Sequence, residues 1–135
     1  MWNNPEGFYR ALKELKNIYP DSYPYTTKRK NKLFDDWSTS FGINFPSVSY
    51  DANEQKWIHS STDPRCKEML DYIRKLYQES LIDEDFLTSS PLAWEAEMTA
   101  EHRSFVTFDS ITCMDTLYEL AKEKNPEYDL RCANP

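Results

Sequence analysis

Glycine, histidine and long apolar runs are scarce in this chain, and each scarcity excludes a class of protein. The two glycines, Gly7 and Gly42, are far apart, whereas phosphate-binding loops and dinucleotide folds need clustered glycines for close backbone approach. The two histidines, His59 and His102, lack the spacing of a His-Glu-x-x-His zinc site. No apolar stretch approaches the ~20 residues of a membrane-spanning helix. The sequence therefore predicts no nucleotide cofactor, no zinc site and no membrane span.

The cysteines and the charge balance exclude further classes. Cys66, Cys113 and Cys132 are widely spaced and odd in number, which matches neither a zinc pattern nor a disulfide framework, so we expect buried or idle thiols. The net charge of −7 argues against nucleic acid, because its phosphates would be repelled. The acidic run Asp83-Glu84-Asp85 lacks the glycine and the distal glutamate of an EF-hand. We therefore expect no metal.

What remains is the composition of a folded domain. A chain of 135 residues is long enough to bury one ordinary hydrophobic core. Its 39% hydrophobic and 15% aromatic content exceeds what disordered chains carry. We therefore expect a single folded domain over residues 1–135.

Apolar residues at helical spacing, preceded by start signals, predict five helices. Asn4-Pro5, Asp63-Pro64 and Ser90-Pro91 each place a capping side chain before a proline that suits the first helical turn. The predicted helices cover residues 5–17, 33–41, 64–80, a short stretch centred on 94–95, and 112–124.

Short β-rich runs between these helices predict strands. Residues 47–50 and 56–59 are expected to pair as a hairpin around a turn at 51–55. Residues 23–27, 104–109 and 128–132 are expected to form a mixed sheet flanked by the helices that start near Pro5, Pro64 and Thr112. Because helices and strands alternate, the predicted class is α/β or α+β.

Six segments, in order along the chain, resemble a known family. They are Pro5-Glu6-Gly7-Phe8-Tyr9, residues 23–28, Phe41-Gly42-Ile43, the 50–57 hairpin, residues 77–86 and the pair of Trp94-Glu95 with 105–109. Residues 77–86 are close to the signature Leu-Tyr-x-Glu-Gly-Leu-Ile-Asp-Pro-Glu-Phe, with Ser80 in place of its glycine. Lys28 stands where arginine is usual, and Gly7 where tryptophan is frequent. Together they resemble the extracellular solute-binding proteins of family 1, the group of maltose-binding protein and Gram-positive lipoprotein receptors.

The resemblance implies a fold and a function. This chain would be the second-lobe fragment of a two-lobe receptor, with an α/β, periplasmic-binding-protein-like (class II) fold. It would capture a solute, with oligosaccharide favoured, for an ABC transporter. The implied partners are that solute, the transporter permease and the missing second lobe of the same protein. The implied location is the extracellular cell surface, with membrane attachment only through a lipid anchor outside this fragment. No catalysis and no cofactor are implied.

Eight residues are candidate ligand contacts. Phe34 and Trp37 are placed at the cleft by the resemblance and could stack on a sugar ring, with core packing as the alternative. The short polar groups that follow a strand can reach ligand hydroxyls at its carboxyl end; helix capping or a solvated loop is the alternative. These polar candidates are Thr26, Thr27, Lys28, Asp109, Ser110 and Thr112.

Two rival functions stay open. A protein–protein interaction domain would show a flat apolar patch without converging polar groups. A glycosidase would show two carboxylates facing each other in one pocket, with one pKa raised. A receptor lobe would instead show an open face lined by Trp37 and Asp109.

Overall fold

The computed structural model describes residues 4–122 and 124–133. Over these residues the chain forms five helices and one two-stranded sheet. In chain order they are α1 Pro5–Ile18, α2 Lys32–Ser38, β1 Val48–Asp51, β2 Lys56–His59, α3 Pro64–Gln78, α4 Pro91–Thr99 and α5 Cys113–Ala121. The protein is thus a mixture of helices and a small sheet, as the predicted class requires. Within the described part, no helix combines the length and apolarity needed to cross a membrane.

The helices begin at the predicted capping residues. Asn4 accepts a hydrogen bond from the Gly7 amide at 2.7 Å, and Asp63 accepts one from the Arg65 amide at 2.9 Å. Each bond satisfies an amide that has no partner within the helix. The short 3-10 helix Thr39–Phe41 extends α2 to the predicted end at residue 41. The predicted helix at 112–124 is shorter, since α5 ends at Ala121.

The hairpin prediction is confirmed. β1 and β2 pair antiparallel, from Val48 opposite His59 to Asp51 opposite Lys56. The Asp51 carboxylate closes the turn by accepting hydrogen bonds from the amides of Asn53 and Glu54, at 2.9 and 3.1 Å. Tyr50 and Trp57 lie opposite each other with their rings 5.5 Å apart on a solvent-exposed face.

The predicted mixed sheet is reduced to isolated bridges. Tyr25 pairs in parallel with Ile82 on one side and with Val106 on the other, so segments 23–27 and 104–109 meet at one residue pair. Pro24 has no amide to extend the ladder. Residues 128–132 form no strand, which corrects that prediction: the Leu130 amide donates to the Tyr118 hydroxyl at 2.8 Å instead of to a neighbouring strand.

Two separate clusters of buried residues make up the core. The main cluster packs α1, α2 and α3 around residues such as Leu12, Leu33, Ile73 and Ile82. The second cluster joins α4 to α5 and is smaller; its buried members are Trp94, Met98, Cys113 and Leu117. Tyr128 and Leu130, from the segment predicted as a closing strand, pack against this second cluster.

Candidate functional site

The segments that contain Tyr25, Ile82 and Val106 run parallel to one another. The polar residues at the ends of these segments therefore lie close together. The Tyr25 amide donates to Leu81 O at 3.0 Å, and the Asp83 amide donates to Tyr25 O at 3.1 Å. On the other side, the Val106 amide donates to Pro24 O at 2.9 Å. The residues that follow these bridges therefore emerge on one side of the molecule, where ligands bind in open α/β folds.

Lys28 is the centre of this region. Its Nζ lies 2.7 Å from Asp109 Oδ2, 4.7 Å from the centre of the Trp94 ring and 3.9 Å from Cys113 Sγ. The hydrogen bond to Asp109 raises the pKa of Lys28 despite partial burial. Burial works to raise the pKa of Asp109, but Lys28 and the Ser110 amide outweigh it and hold that pKa below its ordinary value. Both groups are charged at neutral pH and form a fixed ion pair.

A second ion pair lies beside the first. Arg29 Nε is 3.2 Å from Asp36 Oδ2, and the Arg29 guanidinium lies 6.0 Å from the centre of the Phe108 ring. Burial raises the pKa of Asp36, although Arg29 opposes this shift. Phe108 itself is 53% exposed. The region thus presents an open aromatic ring next to two compensated ion pairs.

Ser110 and Thr112 offer exposed hydroxyl groups at the edge of this region. Ser110 Oγ and Thr112 Oγ1 are 2.9 Å apart, and the Ser110 amide donates to Asp109 Oδ1 at 2.7 Å. Thr112 precedes α5 but makes no side-chain capping bond. The N-cap of α5 is therefore Thr112, and neither Asp109 nor Ser110 caps this helix.

Thr26 and Thr27 lie at the same strand end, but both are fully buried at 0% exposure. Thr26 Oγ1 donates to Glu97 Oε2 at 3.1 Å, and Thr27 Oγ1 accepts from the Arg29 amide at 3.0 Å. The Thr27 hydroxyl thus closes the turn that carries Lys28, and the Thr26 hydroxyl bonds to α4. Because both side chains are closed to solvent, a ligand contact by Thr26 or Thr27 stays a prediction that this geometry does not favour.

Phe34 and Trp37 pack against the main cluster. Phe34 meets the Phe86 ring at a centroid distance of 6.4 Å. Trp37 meets the rings of Phe8 at 5.2 Å and Tyr72 at 5.3 Å. The structure therefore gives both residues a packing role, and a ligand contact by either of them stays a prediction.

Sequence reasoning missed Phe108, Asp36 and Glu97. Phe108 carried a usable signal, a large apolar residue directly before Asp109 and Ser110. Glu97 carried a weaker one, since it stands three residues after Trp94 and so shares a helix face with it. Asp36 gave no signal, because nothing local in the sequence pairs it with Arg29, seven residues earlier.

The thiols and acidic groups form no metal centre among the residues described. Cys66, Cys113 and Cys132 are free, the first two buried and the third exposed. Across residues 4–122 and 124–133, no group of three or more His, Cys, Asp and Glu side chains could hold a metal ion.

Two surface depressions lie away from Lys28. One is lined by residues from Thr99 to Glu101 and from Lys124 to Glu127, and the other by Asn4, Pro5, Glu6, Gly7, Arg10 and Tyr72. None of the eight predicted contacts lines either depression. Around Lys28 the side chains of Phe108, Ser110 and Thr112 are exposed, whereas those of Lys28 and Asp109 are 33% and 13% exposed. Comparison of the chain with protein-family models, with curated proteins and with solved structures finds no match.

Proposed function

We propose that this chain is the ligand-binding lobe of an extracytoplasmic solute-binding protein that captures a carbohydrate for an ABC transporter. The observation that carries the proposal is the convergence of Lys28, Asp109 and Ser110 beside the exposed Phe108 ring, at the ends of adjacent parallel segments. An open face is what half of a two-lobe cleft presents, because the second lobe closes over the ligand.

The chemistry of this face suits an uncharged polyol. Lys28 can donate a hydrogen bond while Asp109, whose side chain is only 13% exposed, neutralises its charge at 2.7 Å, so a neutral ligand leaves no unpaired charge. The hydroxyls of Ser110 and Thr112 add two further donors or acceptors. Phe108 supplies an apolar face of the kind that packs against the C–H surface of a pyranose ring.

The resemblance supplies the wider setting of the proposal. It places the protein outside the cell, held to the membrane by a lipid anchor beyond this segment, with the permease of the transporter and the second lobe as protein partners. The class II lobe architecture belongs to the same proposal, as do a non-enzymatic role and the absence of a cofactor.

The rival functions are less well supported. Converging polar groups at Lys28 and Asp109 are not expected of a simple apolar docking surface. Asp83 and Glu97 are two carboxylates with raised pKa values, chiefly through burial, which meets part of the criterion for a glycosidase. Asp83 is only 3% exposed, however, so its carboxylate is closed to a substrate.

A glycan array probed with the labelled chain tests the proposal, since multivalent display detects weak binding. We expect oligosaccharide spots to bind the chain. Asp109→Asn should weaken this binding by about tenfold or more, because it removes the carboxylate that holds Lys28 in place at 2.7 Å. Asp129→Asn is the matched control, since Asp129 is an exposed carboxylate paired with Arg131. Absence of binding to any glycan, or equal loss in both variants, would refute the proposal.

A further inference from the structure

Two sulfur atoms lie side by side at the beginning of α5. The Cys132 thiol donates a hydrogen bond to Met114 Sδ at 3.3 Å. Cys132 is exposed, and Met114 is half-buried. We call these two side chains the sulfur pair. Thiolate and thioether sulfur are soft ligands, which select monovalent copper over hard cations such as calcium and magnesium.

The chain that leads to Cys132 is fastened to α5 by Tyr118. The Tyr118 hydroxyl accepts a hydrogen bond from the Leu130 amide at 2.8 Å and donates one to Leu130 O at 2.9 Å. It therefore binds both backbone polar groups of one residue. The Tyr128 ring meets the Tyr118 ring edge-on, with the ring centres 5.5 Å apart. Backbone bonds and an aromatic contact thus hold this segment along the helix.

The spacing along the two segments explains why the sulfur atoms meet. Met114 and Tyr118 are four residues apart, so they share one face of α5 and are separated by a rise of about 6 Å. Cys132 follows Leu130 by two residues, a stretch of chain that spans about 7 Å at most. The chain that is bonded to Tyr118 at Leu130 therefore arrives beside Met114 at Cys132. The sulfur pair follows from the packing of the whole segment on α5.

The other two thiols lie elsewhere. Cys113 precedes Met114 in the sequence, but it is buried and its Sγ lies 3.9 Å from Lys28 Nζ. Cys66 is buried in the main cluster. The part of the chain that the structure describes has no group of three or more His, Cys, Asp and Glu side chains that could hold a metal ion, and so it lacks the ligands of four-coordinate zinc. Monovalent copper differs from zinc because it accepts a linear geometry with two sulfur ligands.

We propose that Cys132 and Met114 bind one monovalent copper ion. The Cys132 thiol releases its proton to solvent as its sulfur bonds to the metal, and the Met114 thioether donates a lone pair as the second ligand. One thiolate, one neutral thioether and Cu(I) form a complex without net charge, so the half-buried Met114 side chain faces no unpaired charge. The ion needs a wider separation than 3.3 Å between the sulfur atoms. Because Cys132 is exposed, rotation about its χ1 angle provides that separation without moving packed side chains.

Nuclear magnetic resonance of the reduced chain, labelled with carbon-13 at its methionine methyl groups, tests the proposal. The probes are Ag(I), a soft ion that is stable in air, in chloride-free buffer, and then Cu(I) under nitrogen. We expect the Met114 methyl signal to shift and to saturate at one ion per chain. The signals of the buried Met69 and Met98 should stay in place. A titration that leaves the Met114 signal unchanged would overturn the proposal. No glycan enters this experiment, so its outcome is independent of the carbohydrate proposal.

Competition with the coloured Cu(I) chelator bicinchoninate measures the affinity and assigns it to the sulfur pair. Met114→Leu removes the thioether at nearly constant volume and should weaken Cu(I) binding by about tenfold or more. Cys132→Ser should abolish binding. Met98→Leu is the matched control, because it makes the same change at a buried methionine of the second cluster, and it should bind as the parent chain does.

The methyl spectrum of each variant shows whether that variant is folded. Parent-like affinity in Met114→Leu would reduce the site to one exposed thiol and so would contradict the proposal. Binding that persists in Cys132→Ser would assign the metal to other residues and would contradict it equally.

Discussion

Truncation of Trp37 to alanine should lower the free energy of unfolding by about 3 kcal/mol. The indole packs against the rings of Phe8 and Tyr72 at 5.2 and 5.3 Å and lies edge-on to the buried Tyr25 ring at 6.2 Å. Large-to-small changes at fully buried tryptophan cost ~3–5 kcal/mol. Because Trp37 is only half-buried, the lower end of that range applies.

The assay is thermal and urea unfolding followed by circular dichroism. For a chain of this length, ~3–5 °C per kcal/mol converts the loss into a melting temperature about 10–15 °C lower. Trp57→Ala is the matched control, since Trp57 is 72% exposed on the hairpin and its removal should change stability by less than ~1 kcal/mol. A Trp37→Ala variant that melts with the parent chain but loses ligand affinity would refute the packing role and return Trp37 to the cleft.

Three further changes test other parts of the structure. Ile73→Ala should cost ~2–5 kcal/mol in urea unfolding, because Ile73 is buried in the main cluster; a loss below ~1 kcal/mol would contradict its core position. Asp63→Ala should cost ~1 kcal/mol through the lost α3 cap. Since Arg65 lowers the pKa of Asp63 to about 2, the parent's stability advantage over this variant should be complete above pH 4 and vanish as pH falls through 2. Arg131→Gln should leave the melting temperature unchanged within about 2 °C, since its pair with Asp129 is exposed.

The helices and the hairpin could be predicted from the sequence because their signals are local. Asn4, Asp63 and Ser90 each cap the helix that follows within three residues, and the hairpin strands are separated by a four-residue turn. Such contacts depend on neighbours that are already visible in the sequence.

The parallel pairing of Tyr25 could not be predicted in the same way. Its two partners, Ile82 and Val106, lie more than fifty residues away, and nothing local fixes how many residues pair. The predicted strand at 128–132 failed for a related reason. Its Tyr128 and Leu130 pack on the second cluster and do not pair with another strand.

The candidate site was only partly predictable. Their positions after two predicted strands made Lys28 and Asp109 candidate contacts, because strand ends in α/β folds share an edge. The structure pairs the two residues, and a ligand contact by either stays a prediction. The position of Trp37 could not be fixed, since helical spacing groups residues on a face without telling whether that face meets the core or the cleft. Burial of Thr27 likewise depends on the chain that follows it.

The most direct test of the carbohydrate proposal is a nuclear magnetic resonance titration of the isotope-labelled chain with a series of linear oligosaccharides. Half of a cleft should bind only weakly, and such titrations report dissociation constants in the millimolar range, about 4 kcal/mol of binding free energy. The account predicts saturable shifts that centre on Lys28, Phe108, Asp109 and Ser110 and that leave the hairpin unchanged. Shifts that never saturate, or that centre on the exposed Tyr50 and Trp57 rings, would contradict it.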